Sequence, residues 1–261
     1  MQLNTEATVE LNFSQHGDQG PPLIILHGLF GSARNWQGIA KQLSNHFSVF
    51  TVDLRNHGSS AHSEQMSYHD MAADIAQFMQ QQDLPKAHIL GHSMGGKVAM
   101  TLALSQPGLI DKLMIVDIAP VVYRHGFGNI LTALKAVPLT TLSSRQQADS
   151  VLADYIEEAG LRQFLLQNLV PVKAAGYQWR IDIDSIEKNL SHIIGFEEAI
   201  GTYLGDALFI GGAASTYLSA GPQKEALRYF PNANIKMIPK VGHWPHVESP
   251  KVFLDHIYSF I

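Results

Sequence analysis

The sequence predicts an α/β fold, a mostly parallel sheet flanked by helices with a helical segment inserted late in the chain. Three observations carry this reading. Short, continuous apolar runs recur along the chain, as expected for strands covered by helices on both sheet faces. Between them lie stretches with three- and four-residue apolar spacing, the mark of amphipathic helices. The rhythm then breaks between about Val121 and Phe196, where helical patterns follow one another, no strand pattern is visible, and the sheet pattern resumes afterwards.

Residues 8–14 alternate and predict an antiparallel edge strand. Parallel strands are expected at 23–27, 48–53, 87–91, 112–117, 207–211 and 235–238. Tyr68, Met71, Ala72, Ile75, Ala76 and Met79 form one helical stripe. In the break, helices are expected at Asn129–Ala136, Ser143–Glu158, Leu161–Leu169 and Asp184–Leu190. The chain closes on a helix from Pro250 to Ile261, with Ser249 as its N-cap and proline at its first position. Residues 1–120 and 197–261 are therefore expected to form the core domain, and 121–196 a helical cap (lid) over the carboxyl edge of the sheet. Ile130, Leu131, Leu134, Tyr155, Phe164 and Leu165 are its bulky apolar residues; they pack the cap or line a pocket.

The chain has 261 residues, enough for one large domain with an insertion. Hydrophobic residues make up 46% and charged residues 16%, which favours a sizeable core over disorder. With a net charge of −5 and no Lys/Arg cluster, nucleic acid is not an expected partner. Cysteine is absent, which excludes a cysteine nucleophile and thiolate metal sites and fits a reducing, cytoplasmic location. Met1–Glu6 has no signal-peptide pattern, and no apolar run approaches the length of a membrane span.

Gly91-His92-Ser93-Met94-Gly95 is the most informative stretch. It reads G-x-S-x-G between a strand and a helix pattern, the context in which a strained turn exposes a serine hydroxyl above the sheet. Ser93 is thus the candidate nucleophile. The helix that follows aims free N–H groups at the place where an oxyanion would form. Upstream, the first parallel strand ends in His27-Gly28-Leu29-Phe30-Gly31-Ser32. Main-chain N–H groups of Leu29 and Met94 are the expected oxyanion donors. His27 is read as holding the turn, with a role as base the competing assignment. In Val241-Gly242-His243-Trp244-Pro245-His246 two histidines compete for the base; His243, following a glycine soon after the strand, is preferred. His246 is expected behind the site or on the surface. Asp53 and Arg55 are expected to brace loops, and Lys97 to sit on the surface or in an ion pair.

These motifs together carry a resemblance. His27-Gly28, Asp53-x-Arg55-x-x-Gly58-x-Ser60, Gly91-x-Ser93-x-Gly95-Gly96 and Gly242-His243 resemble the α/β-hydrolase superfamily. His27–Ser32, Asp53-x-Arg55-Asn56-His57-Gly58, Gly91–Lys97 and Val116-Asp117-Ile118-Ala119-Pro120 are similar to the bacterial YbfF-type esterases. The resemblance implies an α/β-hydrolase fold and cofactor-independent hydrolysis, without a metal, of a small-molecule carboxylic ester or acyl thioester. Dehalogenase and epoxide hydrolase chemistry on this scaffold would need an aspartate nucleophile, which Ser93 is not. Carbon–carbon bond hydrolysis on the same triad and an inactive binding protein stay as alternatives.

The sequence departs from the superfamily pattern at the acid. The usual Gly-x-x-Asp turn reads Gly211-Gly212-Ala213-Ala214-Ser215-Thr216, with no aspartate in it. Ser215 cannot carry the charge, and Asp206 precedes its strand, at the wrong end of the sheet. Asp117 ends the strand at 112–117 on the correct edge, and becomes the expected acid in the order Ser93, Asp117, His243. The competing role for Asp117 is capping the turn after its strand. The cap's mixture of bulky apolar residues, with no long greasy tract, predicts short to medium acyl groups.

Overall fold

The structure, a computed structural model, describes residues 8–123, 127–172, 176–197 and 201–261. The reading of Met1–Glu6 lies outside the described residues. The strands and helices run in the order β1 (Phe13–His16), β2 (Pro22–Leu26), α1 (Gln37–Leu43), β3 (Ser48–Val52), α2 (Tyr68–Gln81), β4 (Ala87–His92), α3 (Met94–Ser105) and β5 (Ile110–Val116). Then come α4 (Phe127–Ala136), α5 (Arg145–Ala153), α6 (Ala159–Leu166), β6 (Leu169–Pro171), β7 (Tyr177–Trp179), α7 (Ile183–Lys188) and α8 (Leu190–Ile194). β8 (Ala207–Gly212), α9 (Ala220–Tyr229), β9 (Ala233–Ile238), α10 (Pro245–Glu248) and α11 (Pro250–Tyr258) complete the chain.

The main sheet is seven-stranded in the order β1-β3-β2-β4-β5-β8-β9. Only β1 runs antiparallel, pairing Phe13 with Val52 and His16 with Val49. Successive β2 side chains point to opposite faces: Ile24 and Leu26 enter one apolar cluster, Leu23 and Ile25 the other. All are essentially inaccessible to water. Burying each contributes about 1.5–3 kcal/mol, so helices on both faces hold the strands in place. On one face α2 is started by a capping box in which Ser67 accepts from the Asp70 N–H and the Asp70 carboxylate bonds back to the Ser67 N–H.

The strand order places the chemistry. The chain crosses from β2 to β3 on one side and later to β4 on the other, so a topological switch point lies between β2 and β4. Leu26 pairs with Gly91, His92 with Val116, and Val116 with Ile210, which brings the carboxyl ends of β2, β4, β5 and β8 level. The turns carrying Leu29, Ser93, Asp117 and Ser215 therefore emerge side by side.

Three expectations need correction. The edge strand does not begin at Thr8: the backbone at Val9 and Asn12 is bonded to the Asp74 carboxylate and the Ser60 hydroxyl, so pairing with β3 starts at Phe13. The 121–196 segment contains an antiparallel hairpin, β6–β7, in which Leu169 pairs with Trp179; its strands are too short to show alternation. Ser249 sits at the N-cap position of α11, but its side chain makes no capping bond and the helix stops at Tyr258.

Candidate active site

The turn after β4 is sterically forced. A Cβ on Gly91 would lie 2.2 Å from the Gly95 carbonyl oxygen, and one on Gly95 would lie 2.5 Å from that of Leu26, so strand and helix meet only with glycine at both positions. Between them Ser93 sits at φ 51°, ψ −117°. A non-glycine residue there is strained by about 1–3 kcal/mol. The conformation is held by Ser93 N–H donating to Val116 O (3.0 Å) and Gly95 N–H donating to His27 O (3.1 Å). Met94 begins α3, so its N–H has no acceptor within the helix. Leu29 occupies a turn closed by Gly31 N–H donating to Gly28 O (2.9 Å). Ser93, Leu29 and His243 line one cavity of about 270 Å³.

His243 follows β9 and reaches back toward this cavity. Its Nδ1 lies 2.7 Å from Asp117 Oδ2. The Asp117 carboxylate is fully buried, and also accepts from Gly212 N–H (2.9 Å) and Ser215 Oγ–H (2.5 Å). Asp117 itself has φ 48°, which turns its side chain off the end of β5 and across β8. The His243 ring stacks on Tyr217 at 4.1 Å between centroids and 23° between planes. His92, the variable residue before the serine, donates through Nε2 to the His243 carbonyl (2.8 Å) and fixes that loop's height. Sequence reasoning missed Ser215, Tyr217 and His92 as parts of this arrangement. The signal for Ser215 was its place in the Gly-x-x-Asp turn; nothing local marks the other two.

A set of buried histidines surrounds the site without joining its chemistry. His27 donates from Nδ1 to Gly28 O (2.8 Å) and accepts from Leu54 N–H at Nε2 (3.0 Å). His57 donates from Nδ1 to Arg55 O (3.0 Å) and accepts from Phe30 N–H at Nε2 (3.1 Å). Burial pushes the pKa of His57 down to about 3, and those of His27 and His92 below the usual histidine value. The His27 and His57 rings are thus neutral donor–acceptor bridges, and His27 braces its turn. Asp53 accepts from Ala33 N–H (2.7 Å) and Ser59 N–H (2.9 Å), and Arg55 forms a buried pair with Asp74 (2.6 Å). Both brace loops.

Lys97 is not on the surface. It is buried, its Nζ donates to the carbonyls of Ile194 (3.1 Å) and Gly195 at the end of α8, and it lies over the Tyr68 and Tyr123 rings. Desolvation lowers its pKa to about 7. The helix periodicity of α3 is apolar all round, and only the fold reveals that Lys97 faces the inserted segment. His246 is likewise buried, stacked on Trp36 at 4.0 Å and 12°, with burial pushing its pKa down to about 3. It borders the cavity behind His243.

Segment 121–196 supplies part of the cavity wall. Phe127 and Ile130 of α4 and Leu161 and Phe164 of α6 line it together with Phe30 and Trp244, with Phe127 packed on Phe30 and Phe164 on Trp244. The lining is largely apolar and includes Ser93 and His243. Among the described residues no helix is long and apolar enough to cross a membrane.

Comparison with known proteins agrees with the fold. A family model described as the alpha/beta hydrolase fold matches residues 21–250. The sn-1-specific diacylglycerol lipase ABHD11 of Xenopus laevis is 40% identical over 270 residues, covering 99% of this chain and 86% of that protein. Esterase YbfF of Escherichia coli (strain K12) is 37% identical, covering 100% of this chain and 99% of that one. A solved structure described as a marine microorganism esterase superposes with a TM-score of 0.95 at 39% identity, covering 97% and 100% of the two chains. The chain belongs to the α/β-hydrolase family.

Proposed function

We propose that this protein is a serine hydrolase that cleaves carboxylic esters of short to medium acyl chain through Ser93, His243 and Asp117. The observation that carries the reading is the 2.7 Å contact between His243 Nδ1 and the buried Asp117 carboxylate beside the strained Ser93 turn. An ordered carboxylate fixes the histidine tautomer and leaves Nε2 as the base. Ser93 Oγ attacks the ester carbonyl while His243 accepts its proton. The tetrahedral oxyanion is received by the N–H groups of Leu29 and Met94. The intermediate collapses to an acyl-enzyme as His243 returns the proton to the departing alcohol. A water molecule, deprotonated by His243, then attacks the acyl carbonyl, and His243 returns that proton to Ser93 Oγ as the acid leaves.

Residues 121–196 act as a cap that supplies the apolar wall for the acyl group. The relatives, an esterase and a diacylglycerol lipase by name, favour ester substrates over carbon–carbon bond cleavage. The full set of nucleophile, base, acid and oxyanion donors weighs against an inactive binding protein. Acyl thioesters are the second substrate class within the same mechanism, and a cytoplasmic location suits a chain without cysteine. The test is a hydrolysis panel of p-nitrophenyl esters, monoacyl and diacyl glycerols and acyl thioesters of increasing chain length. The reading expects Ser93-dependent ester cleavage with kcat/KM highest at short to medium chains. A steady rise out to very long chains would contradict the length preference, and no ester cleavage would contradict the reading itself.

A further inference from the structure

We propose that Asn168 is a positioning residue that ties the inserted segment to the oxyanion turn, so that the placement of α6 sets the geometry of the Leu29 N–H. The inference rests on the ester-hydrolase reading and adds a residue to it. Asn168 is buried, and its side-chain Nδ2 donates to Phe30 O at 2.7 Å across 138 positions of sequence. A buried amide is costly unless bonded, and its closest partner here is the core domain's own turn rather than its own helix, where the Leu165 O contact is longer at 3.3 Å.

Phe30 is the residue that needs holding. It sits at φ 62°, as the third residue of the turn that Gly31 N–H closes on Gly28 O, a position usually given to glycine in a turn of this kind. A phenylalanine there has to be fixed from outside. Its N–H is taken by the neutral His57 of the core, and its carbonyl by Asn168 of the insertion. The peptide groups on the two sides of Phe30 are thus held by two separate parts of the molecule, and Leu29 precedes it in the same turn. Next to Asn168, Gln167 accepts from Asn35 Nδ2 at 2.7 Å, and Asn35 Oδ1 in turn accepts from Ser32 N–H at 2.7 Å. The Gln167–Asn168 pair therefore holds the turn's carboxyl side twice, directly at Phe30 and through Asn35 at Ser32.

The anchor on the other side is firm. Arg180 N–H donates to Asn168 O (2.8 Å), and the β6–β7 hairpin begins at the next residue. The pair follows directly on α6, whose Leu161 and Phe164 line the acyl cavity. An acyl chain that seats α6 would thereby steady the turn that stabilises the transition state, converting binding of a remote group into rate.

The test compares three variants with the parent. Asn168→Ala is expected to lower kcat on a short-chain ester about tenfold, less than the 10²–10³ that follows loss of an oxyanion donor, with KM little changed. It should also flatten the gain in kcat with acyl length that the parent gives. Asn168→Asp keeps the shape but, ionised, cannot donate to Phe30 O. The carboxyl it introduces is buried against carbonyl oxygens, so its pKa is raised and its O–H donates again once protonated. The ratio of its kcat to the parent's, taken at each pH so that His243 titration cancels, should climb from pH 9 to pH 6. A purely structural asparagine gives a flat ratio. Asn168→Ser, small enough to admit water, serves if the aspartate variant does not fold. Hydrogen exchange of the Phe30 amide provides a readout that needs no turnover, and is expected to quicken about tenfold in Asn168→Ala. Parent-like kcat in the variants, a flat pH ratio or unchanged exchange at 28–31 overturns the proposal and leaves the esterase reading standing. A parent without Ser93-dependent hydrolysis overturns that reading, and exchange alone then decides whether Asn168 holds the turn.

Discussion

At the carboxyl end of β4 the chain passes through Ser93 in a conformation fixed by neighbours a few residues or one strand away: Gly91, Gly95, Val116 and His27. The segment 121–196 is built differently. Its ties to the rest of the molecule run over long sequence separations, from Asn168 to Phe30, from Lys97 to Ile194 and from Tyr68 Oη–H to Ile193 O (2.6 Å). In the first region backbone geometry dictates residue type, so Gly91 and Gly95 cannot change without breaking the turn. In the second, packing dictates shape, and many apolar sequences satisfy it. The comparison teaches that the Ser93 turn is specified by backbone sterics and the placement of segment 121–196 by side-chain contacts across long sequence separations.

The first prediction probes the local region, where the largest effects are expected. Ser93→Ala should lower kcat by about 10⁶, as should His243→Ala, with circular dichroism unchanged. Asp117→Asn should fold and lose up to about 10⁴ in kcat, since the histidine would lose its oriented tautomer and its countercharge. Retention of most activity in that variant would move the acid elsewhere.

Substitutions in the insertion should act on selectivity instead. Phe164→Ala enlarges the acyl cavity and is expected to shift the best chain length upward, changing kcat/KM between short and longer esters by about 10-fold. An equal loss on every substrate would show that the wall does not contact the acyl group. His246→Ala should be mild in kcat, in contrast to His243→Ala, yet lower Tm through loss of the Trp36 stack. The reverse ranking of the two histidines would reassign the base.

The remaining prediction concerns acid stability. His57 and His246 have pKa values of about 3 in the fold and near 6.5 in the unfolded chain, so the unfolded state binds more protons between those limits. Stability contributed by each is complete above pH 6.5 and falls as pH drops toward 3. Denaturant melts at pH 7, 6 and 5 should show this slope, shallower in His57→Phe. A stability independent of pH in that range would mean the rings are protonated inside the fold.

How far the sequence could be read follows the same division. The parallel strands were visible because continuous apolar runs are what a doubly covered sheet requires, and each lay within a few residues of its observed bounds. The turn residues were visible because their chemistry is local. The contact between Asp117 and His243 could be anticipated because strand polarity sets Asp206 at the other end of the sheet. Lys97 could not, because a lysine in an apolar helix carries no sign of the carbonyls it will meet. The hairpin at Leu169–Trp179 and the partnership of Phe30 with Asn168 were hidden for the same reason: each depends on pairing that no local pattern encodes.

The central claim is that Ser93 is the nucleophile activated by the His243–Asp117 pair. Its most direct test is the rate at which a fluorophosphonate modifies the protein, followed by intact mass and peptide mapping in the parent, Ser93→Ala and Asp117→Asn. The account predicts one adduct per chain on Ser93, ester hydrolysis lost in step with labelling, no adduct in Ser93→Ala and much slower labelling in Asp117→Asn. Hydrolysis that survives full labelling, or an adduct at another residue, would contradict it.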